Sequence, residues 1–312
     1  MAKALSEAEL KQLIALAKRA LWGTPEVRGT LQNNNINLTP ANFYSNLPLI
    51  ADIEHSFEYR EANEEVYNAG LFDREVIEAF IDEISVYAGE FEMPEEGDRE
   101  NPDGFFWKNP AFSYSDAMSY YCILRHFKPD HVLEVGSGFS TLVADAAMRK
   151  NGSGRVTLIE PYPKAFLKRL DSVDRIIESF AQDIPVPDFV SLIESAGVWF
   201  IDSTHTVKIG SDCLYLYLKV MPEIRKDIIV HTHDVFLPFG MPKKKALEKH
   251  IYWTEQYLLY AYMLDNPKID VLFGSAYANK VLPEALSRLM SGHYRGGGGS
   301  IWYRLKGAAG AS

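Results

Sequence analysis

The chain has 312 residues, 47% hydrophobic and 12% aromatic, enough for one large α/β domain with an appendage or for two small domains. No apolar run reaches the roughly eighteen residues of a membrane span, and the polar, helical beginning does not read as a signal peptide. Of the formal net charge of −10, residues 1–100 carry 8 Lys/Arg against 20 Asp/Glu and residues 101–312 carry 24 against 22, a balance that argues against a nucleic-acid partner.

Ser6 and Glu9 form a capping box, with Leu5 and Leu10 spaced as a hydrophobic staple. Apolar positions 10, 13, 14, 17 and 21 make one helix face, which Gly23 ends. Residues 30–50 read as loop, and a weaker helical segment lies near 51–69. Asp73 caps a second helix whose apolar face is Val76, Ile77, Phe80, Ile81, Ile84 and Tyr87. Residues 95–103 are charged, with Pro and Gly, and make the best linker. Residues 1–104 therefore read as a helical region without a sheet: a lid, a dimerisation element or a structural buttress.

From there the pattern alternates. Ser115 caps a helix over 116–127, and Pro129 precedes the first strand. Strands are expected near 131–135, 155–160, 174–178, 198–202 and 227–232, with helices between. A buried helix is read over 211–221 and a long amphipathic one over 244–264, whose Lys243-Lys244-Lys245 start reads as solvated. Strands near 269–274 and 300–305 close the sheet around a polar segment containing Gly296 to Gly299. Residues 307–312 read as a flexible tail. Cys122 and Cys213 sit in apolar patterns and read as buried thiols of a cytoplasmic protein rather than a disulfide.

The stretch 131–144 organises the chain. An apolar run ends at Glu134-Val135, breaks at Gly136-Ser137-Gly138, and Ser140 or Thr141 opens a helix. Strand, glycine turn and helix make the first βα unit of an open α/β sheet, the turn letting a ligand approach backbone closely. A second strand ends in Glu160, an acid placed as a ribose needs. The turn lacks the third glycine of the dinucleotide fingerprint, so an adenosyl group without phosphates fits better than NAD.

On these residues the chain resembles the class I S-adenosylmethionine (SAM) dependent methyltransferases. The motifs are Leu133-Glu134-Val135-Gly136-Ser137-Gly138, Glu160, Gln182-Asp183 and Phe200-Ile201-Asp202. More narrowly it resembles a bacterial small-molecule subgroup with an N-terminal extension, on Asn109 to Asp116, Ile159-Glu-Pro-Tyr-Pro163, Ile201-Asp-Ser-Thr-His205, His231-Thr-His-Asp234 and Trp253-Thr-Glu-Gln-Tyr257. The resemblance implies a Rossmann-like, seven-stranded, mostly parallel sheet with helices on both faces over residues 105–306, beside an N-terminal helical lid region. It implies SAM as cofactor. Glu134, Gly136, Ser137, Gly138, Ser140 and Thr141 would form its cradle, the two glycines facing the methionine portion. Glu160 would take the ribose hydroxyls and Asp183 the adenine amine, with Gln182 or Ile184 beside it. Pro161 and Tyr162 would flank the adenine, Asp116 would reach the amino-acid end, and Asp202 and Ser203 would border the crevice.

Methyl transfer needs a near-linear approach of the nucleophile, and a hydroxyl acceptor must also lose its proton. His205 and His233, with Asp202 and Asp234, are the candidate catalytic residues, and alternation aims His231 and His233 to one face. Asp202, His233 and Asp234 also offer an O/N set for Mg²⁺ or another divalent ion, though a metal is not predicted. The expected function is methylation of a small metabolite at oxygen or nitrogen. Two alternatives are a SAM cyclase forming azetidine-2-carboxylate and a catalytically silent SAM-binding partner. No membrane is expected, and a homodimer is compatible.

Overall fold

The computed structural model describes residues 5–60, 67–100, 103–293 and 297–307; the expected tail beyond Gly307 and Gly296 lie outside the described residues. The chain divides into two compact units, Met1–Ser56 and Phe57–Ser312.

The first unit is helical. Helix α1 (Glu7–Leu21) starts at the predicted capping box: Ser6 Oγ accepts from Glu9 N, and Glu9 accepts from Ser6 N at 2.8 Å. A second helix, α2 (Pro25–Gln32), was not expected; Pro25 at its first position sets the helical φ, and its missing N–H leaves no bond unmade. A short α3 covers Ile50–Glu54.

In the second unit α4 (Arg74–Ser85) is capped by Asp73, whose carboxylate accepts from Glu75 N and Val76 N. Ile77, Phe80, Ile81 and Ile84 are buried as expected, but Val76 is exposed, one step off the stripe that packs on α5 (Tyr114–Phe127). The N-cap of α5 is Ser113 rather than Ser115. Ser115 is instead buried in the first turn, its hydroxyl donating to Gly297 O at 2.9 Å.

The sheet has seven strands: β1 (His131–Val135), β2 (Arg155–Ile159), β3 (Val173–Ile177), β4 (Val198–Ile201), β5 (Ile228–Thr232), β6 (Ile269–Gly274) and β7 (Ile301–Leu305). Their order is β3-β2-β1-β4-β5-β7-β6, and only β7 runs antiparallel to its neighbours. β1, β4 and β5 are buried along their whole length because both faces are covered, which is why they read as continuous apolar runs. Helices α6 (Phe139–Asn151) and α7 (Val186–Glu194) supply crossovers in the first half.

Three expected elements differ. The segment 211–221 is a composite: α8 (Asp212–Tyr215), a π-helical turn over Leu216–Val220, then a 3₁₀ turn at Met221–Glu223. The long helix over 244–264 is two helices, α9 (Lys243–Lys249) and α10 (Glu255–Met263), broken where His250 takes a left-handed φ of 55°. The segment between β6 and β7 carries α11 (Ser275–Val281) and α12 (Pro283–Met290), so these strands are not a simple hairpin. Cys122 and Cys213 are free and buried. Among the described residues no helix is long and apolar enough to cross a membrane.

Candidate active site

Parallel register fixes the site. Val135 pairs with Ile159 on one side and Ile201 on the other, and Ile201 pairs with Thr232. The next residue of each strand, Gly136, Glu160, Asp202 and His233, therefore falls in one row at the carboxyl edge. Backbone bonds continue the ladder there: Gly136 N to Ile159 O at 3.0 Å, Asp202 N to Val135 O at 2.8 Å and His233 N to Ile201 O at 2.9 Å. The chain leaves β1 toward β2 and returns as β4 on the other side, so the row spans the switch point where open α/β sheets bind ligands.

At β1 the turn is built by glycine. Gly136 has φ +83°, and a Cβ there would stand 2.3 Å from Asp202 O. At Gly138, the N-cap of α6, a Cβ would meet nothing within 4 Å, so the crevice is open above it. Glu134 and Thr141 hold the turn from behind. Glu134 is fully buried, accepting from Tyr120 Oη and Thr141 Oγ1, both at 2.7 Å, and Thr141 Oγ1 also accepts from Gly138 N at 3.1 Å. Ser140 is buried beside them. Glu160 folds over its own turn, accepting from Ser137 Oγ at 3.2 Å and Tyr162 N at 2.9 Å. Pro161 is half-buried, whereas Tyr162 is exposed with its ring edge-on to Phe180. After β3, Gln182 is half-buried and Asp183 exposed, while Ile184 is buried and its carbonyl accepts from Tyr215 Oη. Ser203 turns away, donating to Glu255 Oε2 at 3.0 Å.

Beyond β4 and β5 the predicted catalytic residues converge. His205 Nε2 lies 3.1 Å from Asp202 Oδ1 and 3.7 Å from Asp234 Oδ2. His233 Nδ1 lies 3.3 Å from the same Asp202 oxygen and 3.8 Å from the same Asp234 oxygen. Asp202, His205 and His233 each offer one ligand atom within 4.8 Å of the others. His205 and Asp234 both adopt positive φ, 57° and 53°. His231 and His233 do share a face, their rings 6.0 Å apart, but His231 is wholly buried against Phe200 and bonded to Ser300 Oγ at 2.8 Å.

One residue of this cluster was missed. Glu255, 1% exposed at the start of α10, holds His205 Nδ1 at 2.8 Å and accepts from Tyr217 Oη at 2.8 Å. The π-helical turn carries Tyr217. The two stretches 201–205 and 253–257 meet here: His205 O accepts from Thr254 N and Glu255 N, and Thr254 Oγ1 accepts from Val207 N at 2.7 Å. Glu255 was legible only as part of the Trp253–Tyr257 stretch. Asp116, expected at the cofactor's amino-acid end, is buried in the first turn of α5 and lines the same cavity as His233 and Asp234. It accepts from Ser275 Oγ, Gly299 N and Ser300 N within 3.0 Å and lies 3.6 Å from His233 Nε2.

Charge in the cluster is strongly coupled. Burial alone would lower the His205 imidazole, but the bonds and charges of Asp202 and Glu255 outweigh it and push it up to about 10. Burial likewise opposes the charged form of His233, yet Asp202 and Asp116 raise it well above its usual value. Asp202 is held far below the carboxylate range: burial opposes this, and the His233 and His205 charges prevail. His231, desolvated and beside His233, is lowered. A cavity of about 610 Å³ opens onto His233 and Asp234, walled by Asn109, Tyr114, Phe236, Phe239 and Lys280. Lys245 Nζ bridges Asp234 Oδ1 at 2.9 Å and the Trp253 ring at 4.0 Å.

The profile of a methyltransferase domain family matches residues 133–235, the stretch from β1 to just past β5. An uncharacterised protein of Archaeoglobus fulgidus is 31% identical over 165 residues, which cover 50% of this chain and 74% of the relative. Among solved structures, an O-methyltransferase from Streptomyces achromogenes in complex with SAM is 13% identical with a TM-score of 0.38, over 73% of this chain and 90% of its own. A Podospora anserina methyltransferase bound to S-adenosylhomocysteine (SAH) is 17% identical with a TM-score of 0.37, over 73% and 88%. The methyltransferase domain over residues 133–235 and the seven-stranded sheet whose β7 alone runs antiparallel agree: the chain belongs to the class I SAM-dependent methyltransferases.

Proposed function

We propose that the enzyme transfers the methyl group of SAM to an oxygen or nitrogen of a small molecule seated in the cavity beside His233 and Asp234. The acceptor's lone pair attacks the methyl carbon in line with the C–S bond. That bond's electrons return to sulfur, giving the thioether SAH, and a hydroxyl acceptor passes its proton to the carboxylate–imidazole cluster of Asp202, His205, His233 and Asp234. Gly136, Ser137 and Gly138 cradle the methionine part, Glu160 binds the ribose and Asp183 the adenine amine. Asp202, His205, His233 and Asp234 orient the acceptor heteroatom and balance the charge that develops as its proton leaves.

The observation that carries this reading is the double use of Asp202. Its backbone carbonyl closes on the Gly136 turn, while its carboxylate lies 3.1 Å from His205 and 3.3 Å from His233. Donor crevice and charged cluster thus share one residue. The adjoining cavity favours a second substrate, which an intramolecular cyclisation of SAM does not need. The test is product analysis of the full chain with SAM, with and without a pool of small metabolites. SAH formed only with the pool is expected; methylthioadenosine formed without it would replace transfer by cyclisation, and consumption of neither would indicate a silent binder.

A further inference from the structure

We infer that Asp202 Oδ1, His205 Nε2 and His233 Nδ1 are the inner ligands of a first-row divalent transition metal that faces the acceptor cavity, with Asp234 bordering the site. Asp202 Oδ1 lies 3.1 Å from His205 Nε2 and 3.3 Å from His233 Nδ1, and the three ligand atoms all lie within 4.8 Å of one another. Ligands about 2.0–2.2 Å from a common ion stand roughly 3.0–3.6 Å apart, a spacing the two Asp202 contacts already have, while Asp234 Oδ2 stands 3.7 and 3.8 Å from the two imidazoles.

His233 Nδ1 gives the independent sign. His233 is 5% exposed, and this nitrogen has no hydrogen-bond partner although the Asp202 oxygen is 3.3 Å away. A buried ring nitrogen without a hydrogen bond, 3.3 Å from Asp202 Oδ1 and 3.8 Å from Asp234 Oδ2, has a polar position that a shared ion would satisfy.

The surroundings are those of a metal site. Each ligating imidazole has a carboxylate at its far nitrogen: Glu255 at 2.8 Å from His205 Nδ1 and Asp116 at 3.6 Å from His233 Nε2. Such outer carboxylates fix the ring and its tautomer and strengthen the ligand. They are themselves held, Glu255 by Tyr217 and Ser203 and Asp116 by Ser275 and two backbone N–H groups. The carboxylates of Asp116, Asp202, Asp234 and Glu255 surround the two imidazoles, and Lys245 pairs with Asp234 alone, so the lining favours a cation. Two imidazoles favour Mn²⁺, Fe²⁺, Co²⁺ or Zn²⁺ over Mg²⁺ and Ca²⁺, which prefer all-oxygen sites. The role of the metal, though not its binding, rests on the methyl-transfer reading: it would receive the acceptor oxygen, lower its proton affinity and fix it toward the methyl carbon.

The test is titration of the chelator-treated full chain with Mn²⁺, followed by EPR, without SAM or acceptor; its failure overturns the metal site and leaves the methyl-transfer reading standing. One Mn²⁺ per chain is expected, displaced by Zn²⁺ but not by millimolar Mg²⁺, with nitrogen coupling from imidazole in the pulsed spectrum. His205→Ala and His233→Ala should each weaken binding by more than about a hundredfold, and Glu255→Gln, at a positioning residue, by about 10–100-fold. Absence of binding, a bound ion without nitrogen coupling, or wild-type affinity in both histidine variants would each overturn the site. The nitrogen coupling is read on the wild-type chain, so a variant that fails to fold does not remove the test.

Discussion

The Cβ that Gly136 lacks would stand 2.3 Å from the carbonyl oxygen of Asp202, closer than any real side chain approaches backbone. The residue also sits at φ +83°, where an L-residue is strained. Gly136→Ala is therefore expected to cost more than about 3 kcal/mol, a fall of roughly 6–12 °C in melting temperature. Gly210→Ala is the control, because φ is +78° there but nothing lies within 4 Å. Equal melting temperatures for the two variants would mean that the close approach is not native.

Glu160 is half-buried at the tip of β2 and, among the described residues, is bonded to its own turn by Ser137 and Tyr162. Glu160→Ala should weaken SAM binding by more than about tenfold, since a hydrogen bond to a charged group is worth roughly 1.5–3 kcal/mol. Its fold should be unaffected. Calorimetry would settle it, and unchanged affinity would remove Glu160 from the ribose site.

Glu134 introduces a pH dependence of stability. Burial raises its carboxyl from 4.5 to about 7, against the hydrogen bonds from Thr141 and Tyr120 and with the Asp202 charge adding to the rise. Below pH 4.5 both folded and unfolded chains hold the proton and no penalty exists. Between 4.5 and about 7 only the folded chain holds it, so this contribution falls as pH rises and is fully lost above 7. The loss is about 3 kcal/mol, at roughly 1.4 kcal/mol per unit. Glu134→Gln should remove that slope from denaturant midpoints measured between pH 5 and 8. A slope unchanged in the variant would assign it to another group.

His205→Asn and His233→Asn should leave SAM affinity within about threefold of wild type and lower turnover by about a hundredfold or more. Parallel loss of affinity and turnover would instead give the histidines a structural role.

The sheet was legible because each strand is a short apolar run bounded by turn residues, and burial on both faces makes such runs continuous. The helices were less so. Nothing in residues 249–252 announces a break, yet His250 turns left-handed there and frees Glu255 to begin α10 under His205. Helices α11 and α12, seven and eight residues long, are too short for a periodic pattern to stand out. Asp202, His205, His233 and Asp234 were legible because all lie just past strand ends. Glu255 was not, because its pairing with His205 spans 50 residues and depends on how the 203–207 loop and the start of α10 fold together. Asp116 was visible as a helix-start acid, but its partners Ser275, Gly299 and Ser300 come from the far end of the chain.

The most direct measurement is calorimetric titration of the full chain with SAH and, separately, with NAD⁺. One SAH bound per chain, weakened in Glu160→Ala, with no heat from NAD⁺, is the expected result. Saturable NAD⁺ binding, or no binding of SAH, would contradict a phosphate-free adenosyl ligand between Gly136 and Glu160.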